Sequence, residues 1–208
     1  MNYRIFGIVY GDKVTEYTPY NNDNALTPHR FESEPMIQIV DTMIDDMDNN
    51  DLLGIFSHAF KSKTGLYKMK LVRFLKDSPK ADVYNFCRSH GPKIHFMDWS
   101  DEGHKGIKGF IKRCCNHVGM EYTNDPKHIV YANQFVATKH VYVSYMNEVI
   151  KPCLELLEGS MWEEVNRDPG YTRAKEGVQY TFVPFILERM LCQFIHNRNL
   201  KCVDYFKR

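Results

Sequence analysis

Residues 52–65 read LLGIFSHAFKSKTG. An apolar run of the kind that fills a buried strand breaks at Ser57 and His58, then adds Lys61, Lys63 and Gly65. Such a break is either a strand leaving the core or the rim of a site. Other residues offer chemistry of their own. A divalent ion needs hard oxygen ligands at a strand end, which Asp82 in ADVYNF supplies, as does the cluster Asp98, Asp101 and Glu102 in DWSDEGH. Neither forms an Asp-x-Asp pair, and helix caps or solvated loop charges are the competing reading.

Glu188 and Arg189 sit between apolar residues in PFILERMLCQF, as a helix-surface ion pair or as a polar element at a cleft. Spacing alone favours the surface pair. Asn133 and Gln134 interrupt the apolar stretch YANQFVATK, and buried amides must find partners. A strand edge opening onto a ligand is one place where they do. Cys114, Cys115 and His117 suggest zinc, but adjacent cysteines on one helix cannot both face a single metal, so burial explains them better. The nine histidines are scattered, and zincin, nucleophile-elbow, P-loop and dinucleotide-binding motifs are all missing.

These residues need elements to position them. YRIFGIVYGD reads as an opening strand, followed by a long polar loop through TPYNNDNALTPHR. From Glu32 to Met47, apolar residues recur at helical spacing, with a cap near Ser33 and Pro35 in the first turn. With LLGIFSH as the next strand, this predicts a β-α-β unit in a parallel sheet covered on both sides. YKMKLVRFLKDS is read as a helix, KADVYNFC as a short strand, KIHFMDW as extended and HKGIKGFIKRCCNHVGM as a helix. A strand around Ile129 to Val136 then leads to a long amphipathic helix from about Lys139 to Glu158. The chain around Asp168, Pro169 and Gly170 reads as loop, YTFVPFILERMLCQFIHNRNL as a helix and KCVDYFKR as a polar tail.

The 208 residues, 43% of them hydrophobic, suffice for one sizeable α/β domain spanning residues 1–208. With 27 basic against 26 acidic residues the chain lacks the excess positive charge of a general nucleic-acid binder. No secretory signal or membrane-spanning run is evident, and six cysteines are read as reduced thiols. A cytoplasmic protein with at most peripheral membrane contact is expected.

In order and spacing, the pieces between about residues 32 and 200 resemble small glycosyltransferases that include bacterial capsular-polysaccharide-synthesis proteins. In that family a Glu-led helix precedes a Gly-apolar-apolar-His-Tyr-Arg-Arg strand end. Here Glu34 precedes GIFSHAFKSK, with Ala59, Phe60 and Lys61 in place of Tyr-Arg-Arg. ADVYNF, DEGHKG, NQFVATK with its long helix, and FILERMLCQFI follow in the family's order. The resemblance implies a GT-A-type domain with a mixed, mostly parallel sheet, moving a sugar from a nucleotide-diphosphate donor to a hydroxyl of a glycan or lipid-linked acceptor. It further implies a divalent ion, manganese or magnesium, on Asp82, and Asp101, His104 or Glu188 acting near the acceptor. His58, Lys61, Lys63, Asn133 and Arg189 would bind substrate, the two lysines serving the leaving diphosphate or the acceptor. The alternatives are a related binding or assembly module without catalysis and, further off, a metal-dependent nuclease or phosphoesterase.

Overall fold

Alternating apolar residues draw Tyr3–Val9 into the first strand, β1, of a computed structural model that describes residues 2–23, 28–88, 95–167, 169 and 180–206. Strand β2 (Thr18–Asn21) follows, then a 3₁₀ turn at Pro28–Arg30 and helix α1 (Ser33–Thr42). Next come β3 (Leu52–Ser57), α2 (Phe60–Thr64), α3 (Lys68–Asp77) and β4 (Val83–Asn85). Helices α4 (Phe96–Gly103) and α5 (Ile107–His117) precede β5 (Phe135–Thr138). A continuous helical rod follows as α6 (Lys139–Tyr145), a π-helical stretch Met146–Ile150 and α7 (Lys151–Glu158). The short α8 (Trp162–Val165), the long α9 (Phe182–Asn197) and β6 (Cys202–Asp204) complete the described elements.

The strands form one six-stranded sheet in the order β2-β1-β3-β5-β4-β6. β1 pairs in parallel with both β2 and β3, and β4 with β6, while β5 runs antiparallel between β3 and β4. The sheet is thus mixed and mostly parallel with helices on both faces, as expected, and α1 is the crossover of the β-α-β unit.

Period-two alternation decides which core each strand residue enters. Phe6, Ile8, Leu53, Ile55, Phe135 and Ala137 join the larger core with α1, α5, α9 and the rod. Ile5, Leu52, Phe56, Tyr84 and Val136 face the smaller core under α2 and α3. Gly54 occupies this second face, where a Cβ would lie 2.9 Å from Val136 Cγ2. Gly54→Ala is expected to destabilise by about 2 kcal/mol through overpacking, measured by urea denaturation.

Several sequence expectations are corrected. The polar stretch before α1 contains β2, which pairs with β1 through backbone groups and needs no apolar side chains. α1 stops at Thr42, short of Met47. Within KIHFMDW, the residues from Phe96 onward are helical. β5 begins only at Phe135, because Ala132 and Asn133 adopt left-handed backbone, φ 54° and 51°, that no strand accommodates. The polar tail carries edge strand β6. Of the loop read at Asp168–Gly170, Asp168 and Gly170 lie outside the described residues.

The rod does run from Lys139 to Glu158, but with a wide turn in it. Pro152 has no N–H to donate to the carbonyl of Glu148, and its ring crowds that carbonyl. Just before it, Lys151 N–H reaches five residues back to Met146 O. No helix among the described residues is long and apolar enough to cross a membrane. Cys114 and Cys115 are free, fully buried thiols of α5, in keeping with their reading as core.

Candidate functional site

A cavity of about 590 Å³ opens where Tyr10, after β1, and Ser57 and His58, at the end of β3, reach the carboxyl edge of the sheet. Parallel α/β sheets bind ligands at this edge, where loops and helix starts converge. Helix α9 supplies Pro184, Phe185 and Glu188, spaced so that one face of the helix lines the cavity. Phe31 and Glu32 enter from the turn before α1. That turn is pinned from behind by Arg30, whose Nε lies 2.5 Å from Glu158 Oε1 at the end of α7, and by His29, which joins the same carboxylate.

The chemical centre of the cavity is the pair Glu32 and Glu188. The Glu32 carboxylate accepts hydrogen bonds from the side chains of Ser57 and Asn133, and Glu188 accepts the backbone N–H of Ala132. Burial, and then the like charge of Glu188, push the Glu32 carboxyl up to about 7, against the pull of Lys63 and of its two donors. Glu188 is also raised by burial, opposed by Arg189 and Lys63. Near neutral pH the Glu32 carboxyl is therefore part protonated, with Glu188 beside it on the same cavity wall.

The backbone around the pair is strained. Among the described residues four non-glycine residues have positive φ, and three of them, Phe31, Ala132 and Asn133, adjoin or contact the two glutamates. Each costs of order 1 kcal/mol, a cost characteristic of positions where geometry serves a site. Positive charge enters from Lys63 on α2, which carries no ion pair among the described residues and acts on both glutamates. Tyr10 meets the His58 ring edge-on at 5.7 Å, and burial beside Glu32 pushes its phenol up to about 12, keeping it a neutral donor. Phe31 and Tyr180 stack at 5.3 Å to form an aromatic wall that continues to Phe185.

The residues singled out in the sequence divide accordingly. Glu188, His58, Lys63 and Asn133 come together at the cavity. Arg189 lies behind Glu188, 3.8 Å away and only 6% exposed, donating to Phe185 O, with its Nε unpartnered among the described residues. The pair is therefore a polar element at a cleft and not the surface pair that spacing favours. Lys61 is two residues from Lys63 and so points elsewhere on α2, where it pairs with Glu16 at 2.7 Å. His104 is buried behind the cavity wall, its ring 4.2 Å from that of Phe185 and its Nδ1 3.2 Å from Pro169 O. Burial and then Arg189 lower its proton affinity.

Asp101 is a helix cap, accepting the N–H groups of Gly106 and Lys108 where α5 begins. Asp101→Ala is expected to cost about 1 kcal/mol in a urea melt and to leave any activity of the cavity unchanged. Asp82 accepts Lys201 N–H at 2.8 Å, at the amino end of β4 and therefore the opposite edge of the sheet from the cavity. It does not fit a metal ligand for this site. Sequence reasoning missed Glu32 as a site residue, although it heads the helical stretch in FESEP, and it missed Tyr10 and the aromatic wall.

The fold and cavity define an α/β protein with a carboxylate-centred site at the carboxyl edge of a mixed sheet. No family model, curated protein or solved structure matches the chain.

Proposed function

We propose that the chain is a glycosyltransferase of GT-A type that moves a sugar from a nucleotide-diphosphate donor to a hydroxyl of a glycan or lipid-linked acceptor, with the Glu32–Glu188 pair as general base. The observation that carries this reading is the two buried carboxylates that line one cavity, one with its proton affinity near neutral, beside Lys63 and His58. The ordered resemblance and the mixed, mostly parallel sheet support it. In the reaction, the carboxylate pair takes the proton of the acceptor hydroxyl as its oxygen bonds to the anomeric carbon, and the bond from that carbon to the donor diphosphate breaks. The leaving diphosphate takes the bonding electrons, and Lys63, with His58, compensates its charge. Phe31, Tyr180 and Phe185 offer apolar surface to a sugar ring, while Tyr10 and Asn22 offer polar groups to its hydroxyls.

The test is a panel of uridine and guanosine diphosphate sugars, with and without manganese, scored for binding, donor hydrolysis and transfer. Turnover of one donor that disappears in Glu188→Gln is the expected result. Failure of every donor to bind or react overturns the reading, and binding without turnover assigns the chain to the non-catalytic binding modules instead.

A further inference from the structure

Outside the cavity lining, at the lateral edge of the sheet formed by β6, His128, Cys202 and Asp204 bring an imidazole, a thiol and a carboxylate within 4.8 Å of one another. Cys202 and Asp204 are alternate residues of β6 and project from the same face of that strand. His128 comes from the segment ahead of β5. We propose that these three residues form a zinc-class metal site, with water as the fourth ligand.

The donor set suits that ion. A mixed sulfur, nitrogen and oxygen set selects zinc or a similar transition metal over magnesium or calcium. His128 Nδ1 and Asp204 Oδ2 are 3.1 Å apart. Metal–nitrogen and metal–oxygen bonds of about 2.0–2.2 Å at a tetrahedral angle separate two such donors by about 3.4 Å, so a small adjustment admits the ion where a proton now bridges them. Asp204 is already oriented: its Oδ1 accepts Asn85 Nδ2 at 2.6 Å, and Asn85, 4% exposed, also donates to Ile129 O. An outer partner of this kind is what metal-binding carboxylates require.

Charge favours the ion as well. On binding, the thiol proton passes to solvent and the proton between His128 Nδ1 and Asp204 leaves Nδ1, so that the neutral imidazole carries its one proton on Nε2. The dication then offsets one thiolate and one carboxylate in formal charge. His128 and Cys202 are only partly buried, which leaves an entry path.

The experiment uses the full chain, stripped with a chelator and titrated with zinc against a chromophoric competitor, then with cobalt. One equivalent of zinc should bind, cobalt should show a thiolate-to-metal charge-transfer band, and zinc should raise the melting temperature. Cys202→Ser and His128→Ala should each lose the band and at least about tenfold in affinity while keeping the native circular dichroism. The wild-type cobalt spectrum and melting shift decide the matter even if a variant fails to fold. Absence of stoichiometric uptake by wild-type protein, or uptake unchanged in both variants, overturns the proposal. This site is independent of the transfer reaction, and neither result bears on the other.

Discussion

Glu188→Gln is expected to keep the fold and lower the proposed glycosyl transfer by about 10²–10⁴-fold, the usual worth of a positioned general base. The amide is nearly isosteric and still offers an oxygen to Ala132 N–H, so the loss falls on proton transfer and not on cavity shape. The pH profile separates this role from a structural one. In the wild-type protein the Glu32 carboxyl gives up its proton as pH rises through about 7, so the proposed transfer should increase across that range to a plateau. Glu32→Gln removes the group that titrates near 7 and leaves Glu188, whose rise comes from burial, so whatever activity remains should lose the limb at about 7. A rate independent of pH between about 5 and 8 in the wild-type protein, or an unshifted limb in Glu32→Gln, would remove the pair from catalysis.

The same Glu32→Gln substitution should stabilise the protein at alkaline pH. The Glu32 carboxyl has an ordinary value of 4.5 and is raised to about 7 in the fold. The folded chain therefore holds this proton more tightly than the unfolded chain does. The stability that follows is fully present below the ordinary value and is lost as pH rises through about 7. Each tenfold gain in proton affinity on folding is worth about 1.4 kcal/mol, so the loss across that interval is about 3 kcal/mol. Glutamine stays neutral throughout and retains an acceptor for Ser57 and Asn133. Urea denaturation should show wild type and variant nearly equal at pH ~4 and the variant more stable by up to about 3 kcal/mol at pH ~8. Parallel stability curves for the two proteins would refute the elevated proton affinity. A gain in stability accompanied by a loss of turnover is the trade expected where a fold holds a reactive group at cost.

The strongly periodic elements are legible in the sequence. The β-α-β unit, helices α3, α5 and α9 and the extent of the rod follow from apolar spacing, because each buries a continuous stripe or face. The break at Ser57 and His58 does mark a cavity rim. The misreadings have physical causes. β2 and β6 are short and polar, held by backbone pairing that leaves no trace in side-chain pattern. Asn133 stands out as an amide needing a partner, and it has one in Glu32, but two consecutive left-handed residues cannot be inferred from the letters Ala-Asn. Asp82 fails as a site residue on strand direction. β4 runs the same way as β1 and β3, so a residue just ahead of it must lie at the amino edge, away from a site built on strand carboxyl ends. Glu32 and Glu188 are 156 positions apart, and nothing local in the sequence indicates that they line one cavity.

The π-helical stretch in the rod settles a matter of rotational phase. Buried residues along the rod fall in pairs that repeat every four positions: Val141 and Tyr142, Tyr145 and Met146, Val149 and Ile150, Cys153 and Leu154, ending at Leu157. At 3.6 residues per turn each such repeat overshoots a full circle by about 40°, so in an unbroken α-helix the stripe would creep around the rod and leave its last turns facing solvent. The wide turn at Met146–Ile150 winds more slowly and takes back part of that drift. Pro152 and the fourfold spacing thus ask for the same local unwinding, and both ends of the rod keep their apolar side on one core.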